Sequence, residues 1–178
     1  LNGNYLHKTA NVTLDFSAIA KGYAVDKISE LLKNNLISNY MVEIGGELSL
    51  AGYNLNKQKW SIGIQNPLSK NITPTLNLTL TDKSIATSGN YRNFFIYEGK
   101  KYSHIISPVT GYPVDNNILS VTIISDHCMD ADALATSLMV MSINDGMALI
   151  ESIKDAEAFY ITKEGQSLYS KGFRRFIR

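Results

Sequence analysis

Residues 76–80 (LNLTL) alternate apolar and polar side chains without a break, the period of a strand with one face buried. Runs of this kind recur and set what the chain can become. Residues 40–44 (YMVEI), 59–65 (KWSIGIQ), 93–97 (NFFIY) and 121–125 (VTIIS) read as strands, with Trp60, Ile62 and Ile64 on one face. Gly45-Gly46 turns the chain before residues 48–50 resume the alternation, and Asn66-Pro67 closes the run before it. Glu98-Gly99 returns the 93–97 strand through residues 101–105 as a hairpin. Residues 157–160 and 173–177 read as closing strands around a turn at Glu164-Gly165.

Three stretches change period. Residues 23–33 space Ala24, Ile28, Leu31 and Leu32 as the stripe of an amphipathic helix, which Asn34 and Asn35 end. Residues 130–141 are rich in Ala, Leu and Met and helical by propensity. Residues 145–153 keep Met147, Ile150 and Ile153 in helical phase. Many strands with a few helices, not in regular alternation, predict an α+β fold with a mainly antiparallel sheet and a few packed helices. No repeat, low-complexity tract or linker divides the chain, so residues 1–178 read as a single domain.

Composition narrows the function classes. With 44% apolar residues, 19% charged and a net charge of +1, this is neither a disordered tail nor a basic nucleic-acid binder. No run of about 18 apolar residues marks a membrane span, and no secretory leader is visible. The chain opens with Leu1, as a processed or truncated piece of a longer protein would. Cys128 is the only cysteine, which rules out an intrachain disulfide and reads as a buried bystander.

Four segments carry residues that chemistry could use. In DFSAIAKG (residues 15–22) small residues separate Asp15 from Lys21 at a helix start, where free N–H groups favour anions. The plain alternative is that Asp15 and Ser17 cap the helix and Lys21 is solvated. In EIGGE (residues 43–47) a glycine pair at a strand end lets backbone approach a flat or phosphorylated ligand, although an ordinary turn explains it equally. In DADALAT (residues 130–136) Asp132 and Thr136 stand four apart on one helical face, two hard oxygens that suit magnesium. The alternative makes Asp130 an N-cap, Asp132 a dipole-favoured first-turn residue and Thr136 a hydroxyl bonded to its own backbone. In SHIISPVTGYP (residues 103–113) a loop stiffened by two prolines could hold His104 at a site, whereas His7 and His127 lie in contexts that point to no role.

Taken in order, DFSAIAKG, EIGGE, TSGNY (residues 87–91), HIISPVTGYP (residues 104–113) and ADALAT (residues 131–136) resemble the ApbE-type FAD:protein FMN transferase family. The resemblance is close over about residues 11–140 and looser beyond. Family members are usually longer at the N-terminus, where much of the adenine-binding surface lies, so the chain resembles the C-terminal part of one. The resemblance implies a magnesium-dependent cut of the FAD pyrophosphate that moves FMN onto a threonine hydroxyl of an acceptor protein and releases AMP. Magnesium would be held by Asp132, Thr136 and a backbone carbonyl at Ala18, with Ala135 nearby. FAD would be contacted by Asp15, Lys21, Gly45, Gly46, Glu47, Ser88, Gly89 and the backbone near Ile106, with His104 as base or acceptor-positioning group. Ser107 departs from the family pattern, which generally has Asp before the proline, so that carboxylate's role is missing here or supplied elsewhere. FAD hydrolysis to FMN and AMP, or FAD carriage without turnover, would use the same residues. The implied acceptor is a respiratory or electron-transfer flavoprotein subunit. The implied setting is periplasmic or otherwise outside the cytoplasm, with a lipid anchor outside these residues as the one link to a membrane and no nucleic acid as partner.

Overall fold

A computed structural model describes residues 5–69, 71, 73–91 and 94–178. In chain order it has helix α1 (Ala20–Asn34), strands β1 (Tyr40–Ile44), β2 (Glu47–Ala51), β3 (Trp60–Gln65), β4 (Pro74–Leu80), β5 (Lys83–Gly89), β6 (Phe94–Tyr97), β7 (Lys100–Ser103) and β8 (Ile118–Ser125), helices α2 (Cys128–Met139) and α3 (Ile143–Ser152), then β9 (Glu157–Thr162), β10 (Ser167–Tyr169) and a 3-10 turn, Phe173–Phe176. Six strands form one sheet in the order β1-β2-β5-β8-β9-β10, while β3–β4 and β6–β7 form two separate ribbons. Every strand pair is antiparallel, as the α+β reading expected.

The sheet is covered on both faces. On one, Ala86, Val121, Ile123, Ala158 and Tyr160 pack against Ala131, Ala135, Leu138 and Met139 of α2 and Ile150 of α3. On the other, Ile85, Ile124, Phe159 and Ile161 meet Ile64, Leu78 and Leu80 of the β3–β4 ribbon and Phe173. A strand buried on both faces has no reason to alternate, which is why β8 and β9 are nearly continuous in apolar or small residues. The predicted stripes of β3, β4 and α3 all face these cores. Cys128 is buried, as expected. No helix among the described residues is long and apolar enough to cross a membrane.

Two expectations need correction, and one strand stands beyond them. Residues 173–177 do not form a closing strand; Phe173 sits in the 3-10 turn, 5.5 Å from the Phe159 ring, and β10 is the strand that pairs with β9. The expected stripe of α1 is misplaced by part of a turn: Ile28 and Leu31 are 41% and 60% exposed, whereas Gly22, Val25 and Ser29 are buried. Small side chains on that face let α1 approach α2 closely, and closeness won over hydrophobicity. Strand β5 has no counterpart in the sequence reading beyond TSGNY, since only Ile85 and Ala86 are apolar core residues in it. Asn93, read as the start of a strand, lies outside the described residues.

Candidate functional site

The site forms where α1, α2, the β1–β2 turn and the end of β5 converge. Ile44 and Glu47 pair across a two-residue turn in which Gly45 and Gly46 have φ of +61° and +103°, the left-handed pair that tight hairpins demand and glycine supplies. That turn passes beside Lys21. A Cβ on Gly45 would stand 3.4 Å from Lys21 Cδ and 3.7 Å from Glu47 Oε2. The Lys21 Nζ lies 2.6 Å from Glu47 Oε1; Lys21 is 46% exposed and Glu47 2%. Lys21 is therefore paired, not simply solvated.

Asp132 faces the same place from α2. It is 4% exposed, and its Oδ2 accepts the N–H of Gly22 at 3.0 Å, which joins the two helices through the carboxylate. Burial pushes its pKa up against the opposing pull of the Gly22 N–H and of Lys21. Glu47 is likewise pushed up by burial, opposed by Lys21, with the Asp132 charge adding to the rise. Two carboxylates therefore share one ammonium. One helical turn on, Thr136 Oγ1 shares a hydrogen bond with Ser88 Oγ at 2.9 Å, so its hydroxyl is oriented by the sheet and not by its own helix. Asp130 does not cap α2 either. Asp26 of α1 does so from outside, accepting the N–H groups of Cys128 and Met129 at 2.8 and 2.9 Å.

Beside these groups lies a cavity of about 520 Å³ whose lining includes Lys21, Gly45, Gly46, Ser88, Gly89 and His104. The hairpin leading into His104 is anchored just past the end of β5: Ser103 Oγ donates to Asn90 Oδ1 at 2.6 Å and accepts the Ile105 N–H at 3.0 Å. The 104–113 loop closes on itself through Ser107 N–H to the Tyr112 carbonyl and Gly111 N–H to the Ser107 carbonyl, at 2.9 and 2.8 Å. The Ser107 hydroxyl accepts the N–H groups of Val109 and Thr110 at 3.3 and 3.4 Å, the turn-capping job an aspartate would do there. A Cβ on Gly89 would stand 2.5 Å from a Tyr91 ring carbon, so that glycine admits the ring.

The remaining predicted residues stand outside the cavity lining. Asp15 is exposed and binds Ser17 instead of capping α1, its Oδ1 accepting the Ser17 N–H at 2.7 Å; the Ser17 hydroxyl and N–H lower its pKa. Ile106 is half exposed and bridges to Pro113. Ala18 is half-buried just before α1, and Ala135 is fully buried against the sheet. Glu47, Asp132 and Thr136 also stand outside the lining, bonded to Lys21, Gly22 and Ser88 respectively. The reading missed an apolar wall of Leu48, Ile62, Ile64 and Ile85, and Tyr91 and Gln65 beside it, because those strands look like core strands from sequence. Among the described residues no group of three or more His, Cys, Asp or Glu side chains could hold a metal. A cation here would draw on Asp132, Thr136, backbone carbonyls and ligand oxygens, a donor set for a hard divalent ion.

Residues 2–160 match the profile of the ApbE family. The FAD:protein FMN transferase of Vibrio cholerae is 45% identical over 180 residues, covering 99% of this chain and 54% of that protein. That of Escherichia coli K12 is 34% identical over 177 residues, with 97% and 50% covered. Among solved structures, the ApbE protein of Thermotoga maritima superposes with a TM-score of 0.83 at 32% identity, over 94% of this chain and 54% of that one. The flavin transferase ApbE of Vibrio cholerae gives 0.78 at 40% identity, over 92% and 52%. The chain thus spans about half the length of the relatives it matches.

Proposed function

The chain belongs to the ApbE family, and we propose that it forms the catalytic part of a magnesium-dependent FAD:protein FMN transferase. The observation that carries this is the convergence of Lys21, the Ser88–Thr136 pair, buried Asp132 and His104 around one cavity with an apolar wall. A flat ring suits the apolar wall, and a pyrophosphate suits the cationic, hydroxyl-rich end. In the reaction the bond between the FMN phosphorus and the bridging oxygen of FAD breaks, and a threonine hydroxyl of the acceptor forms the new P–O bond. AMP leaves with the bridging oxygen.

Lys21 offsets phosphate charge as it shifts toward the leaving AMP. His104 takes the proton from the threonine hydroxyl, or holds that hydroxyl in line, from a loop kept rigid by Ser103 and Ser107. Asp132 and Thr136, with the carbonyl at Ala18, would hold magnesium, which when bound neutralises charge on the transferring phosphoryl group. Gly22 and Ser88 orient those two side chains, and Gly45 and Gly46 leave room for the ligand beside the backbone. Asp15 and the backbone at Ile106 would contact FAD at the rim. With this activity come an exported, lipid-anchored setting and an electron-transfer flavoprotein as acceptor.

The test mixes the protein with FAD, with and without magnesium, and a threonine-containing acceptor peptide, following AMP by chromatography and flavin on the peptide by fluorescence. Magnesium-dependent AMP release with equal covalent flavin is expected. In Asp132→Asn both should fall at least about 100-fold with the circular dichroism spectrum unchanged. AMP with free FMN only, or no AMP release, would refute the transferase reading.

A further inference from the structure

We propose that Glu47 is the residue that sets the charge balance of this site, a positioning group that fixes the Lys21 ammonium and raises affinity for a divalent cation at the expense of affinity for metal-free pyrophosphate. The inference rests on the reading of the site given above and adds a role that touching FAD does not require. Glu47 opens β2 directly after the Gly45-Gly46 turn, and at 2% exposure it does not line the cavity. One of its oxygens takes the Lys21 ammonium at 2.6 Å, while the other is buried without any hydrogen-bond partner.

A carboxylate so placed is expensive to bury, and an apolar side chain would fill the same space without that cost. Its effect must be exerted through charge and through Lys21. The Lys21 stem runs past Gly45, and the ion pair directs its half-exposed ammonium. Its partner Lys21 adjoins Gly22, whose N–H binds Asp132 at 3.0 Å, so the two carboxylates meet at one place. Two carboxylates against one ammonium leave the trio one negative charge, which favours a dication. With the dication bound the balance becomes one positive charge, which favours a pyrophosphate. Binding in that order follows from the charges, and Glu47 is the member that makes the metal-free balance negative instead of zero.

The experiment uses the whole chain and titrates Mg²⁺ alone, then inorganic pyrophosphate without metal, by calorimetry. Glu47→Gln preserves shape and still accepts from Lys21, but removes the charge. Mg²⁺ should bind roughly tenfold more weakly and metal-free pyrophosphate severalfold more tightly, shifts of opposite sign that a merely structural role would not produce. Glu47→Asp keeps the charge and should hold Mg²⁺ affinity within about threefold of wild type. Affinities that fall together or do not move in Glu47→Gln would overturn the proposal. So would a tenfold loss of Mg²⁺ affinity in Glu47→Asp, which reads even if the glutamine variant fails to fold. A wild-type chain that binds neither probe would sink the site reading itself, and this inference with it.

Discussion

Replacing Gly22 by alanine tests whether α1 and α2 are held at the separation the site needs. Helix propensity alone would reward the change by about 1 kcal/mol. The added methyl, however, would lie 2.4 Å from the Cys128 carbonyl oxygen and 2.7 Å from both the Cys128 carbonyl carbon and Met129 Cα. Carbon atoms in contact prefer about 3.5–4.0 Å, so the helices would have to part by about 1 Å. All three obstructing atoms are backbone and cannot rotate aside. Overpacking of this kind costs about 1–3 kcal/mol. Parting the helices also stretches the 3.0 Å bond from the Gly22 N–H to Asp132. A hydrogen bond to a carboxylate contributes about 1.5–3 kcal/mol. With the propensity gain set against these, Gly22→Ala should lose about 1.5–5 kcal/mol. Urea denaturation followed by circular dichroism measures it, with Mg²⁺ binding as a parallel readout that should weaken as Asp132 loses its anchor. A midpoint equal to or above wild type would refute the claim that backbone contact fixes the two helices.

Two further outcomes follow from a half-buried cap and a buried hydroxyl. Asp26→Ala removes both acceptors at the start of α2 and should cost about 1–2 kcal/mol, with Asp26→Asn recovering part of it; a loss within about 0.5 kcal/mol would show that the cap contributes nothing special. Tyr160→Phe should be neutral or stabilising by about 1 kcal/mol at neutral pH, because the hydroxyl is buried without a hydrogen-bond partner. Burial pushes that hydroxyl from its ordinary 10.0 up to about 12. The unfolded chain therefore ionises first, and the stability present below pH 10 is lost as pH climbs from 10 toward about 12. Denaturation midpoints taken upward from about pH 8 should show the phenylalanine variant gaining on wild type above pH 10, and parallel curves would refute the burial argument.

The sequence made the outer layers of the fold legible. LNLTL and KWSIGIQ each have one buried face, so their alternation is a direct image of the β3–β4 ribbon. Strand β5 was hidden because both its faces are covered in the middle and its far end belongs to the site: Ile85 and Ala86 serve the two cores, and Thr87, Ser88 and Gly89 line the cavity. The α1 stripe misled because Ile28 and Leu31 look like core residues and the helix turns its smaller side chains inward instead. Phe173 carried a strand-like hydrophobic signal, yet one aromatic plugging the end of a core needs no strand. In the site, the Asp132 and Thr136 spacing was readable from helical geometry, whereas their partners Gly22 and Ser88 were not, since contacts across more than 40 residues leave no local pattern.

The glycines of the matched stretches take on a different meaning once these contacts are known. Read alone, small residues beside Lys21 and a Gly-Gly pair indicate backbone making room for a ligand. Only Gly45, Gly46 and Gly89 among them line the cavity, and Gly22 is buried against α2. Gly22 lets α1 touch the backbone of α2 and so delivers an N–H to Asp132; Gly45, at φ +61°, turns β1 into β2 and sets Glu47 beside Lys21; Gly89 admits the Tyr91 ring and so sets the end of β5, where Ser88 reaches Thr136. In each case a glycine, by its lack of bulk or by its positive φ, brings together two elements that carry charged or hydroxyl groups. The site is therefore assembled by close approach of elements distant in sequence, and a side chain added at any of the three, through bulk at Gly22 and Gly89 or backbone strain at Gly45, should disturb chemistry through a neighbouring polar group even where no ligand is touched.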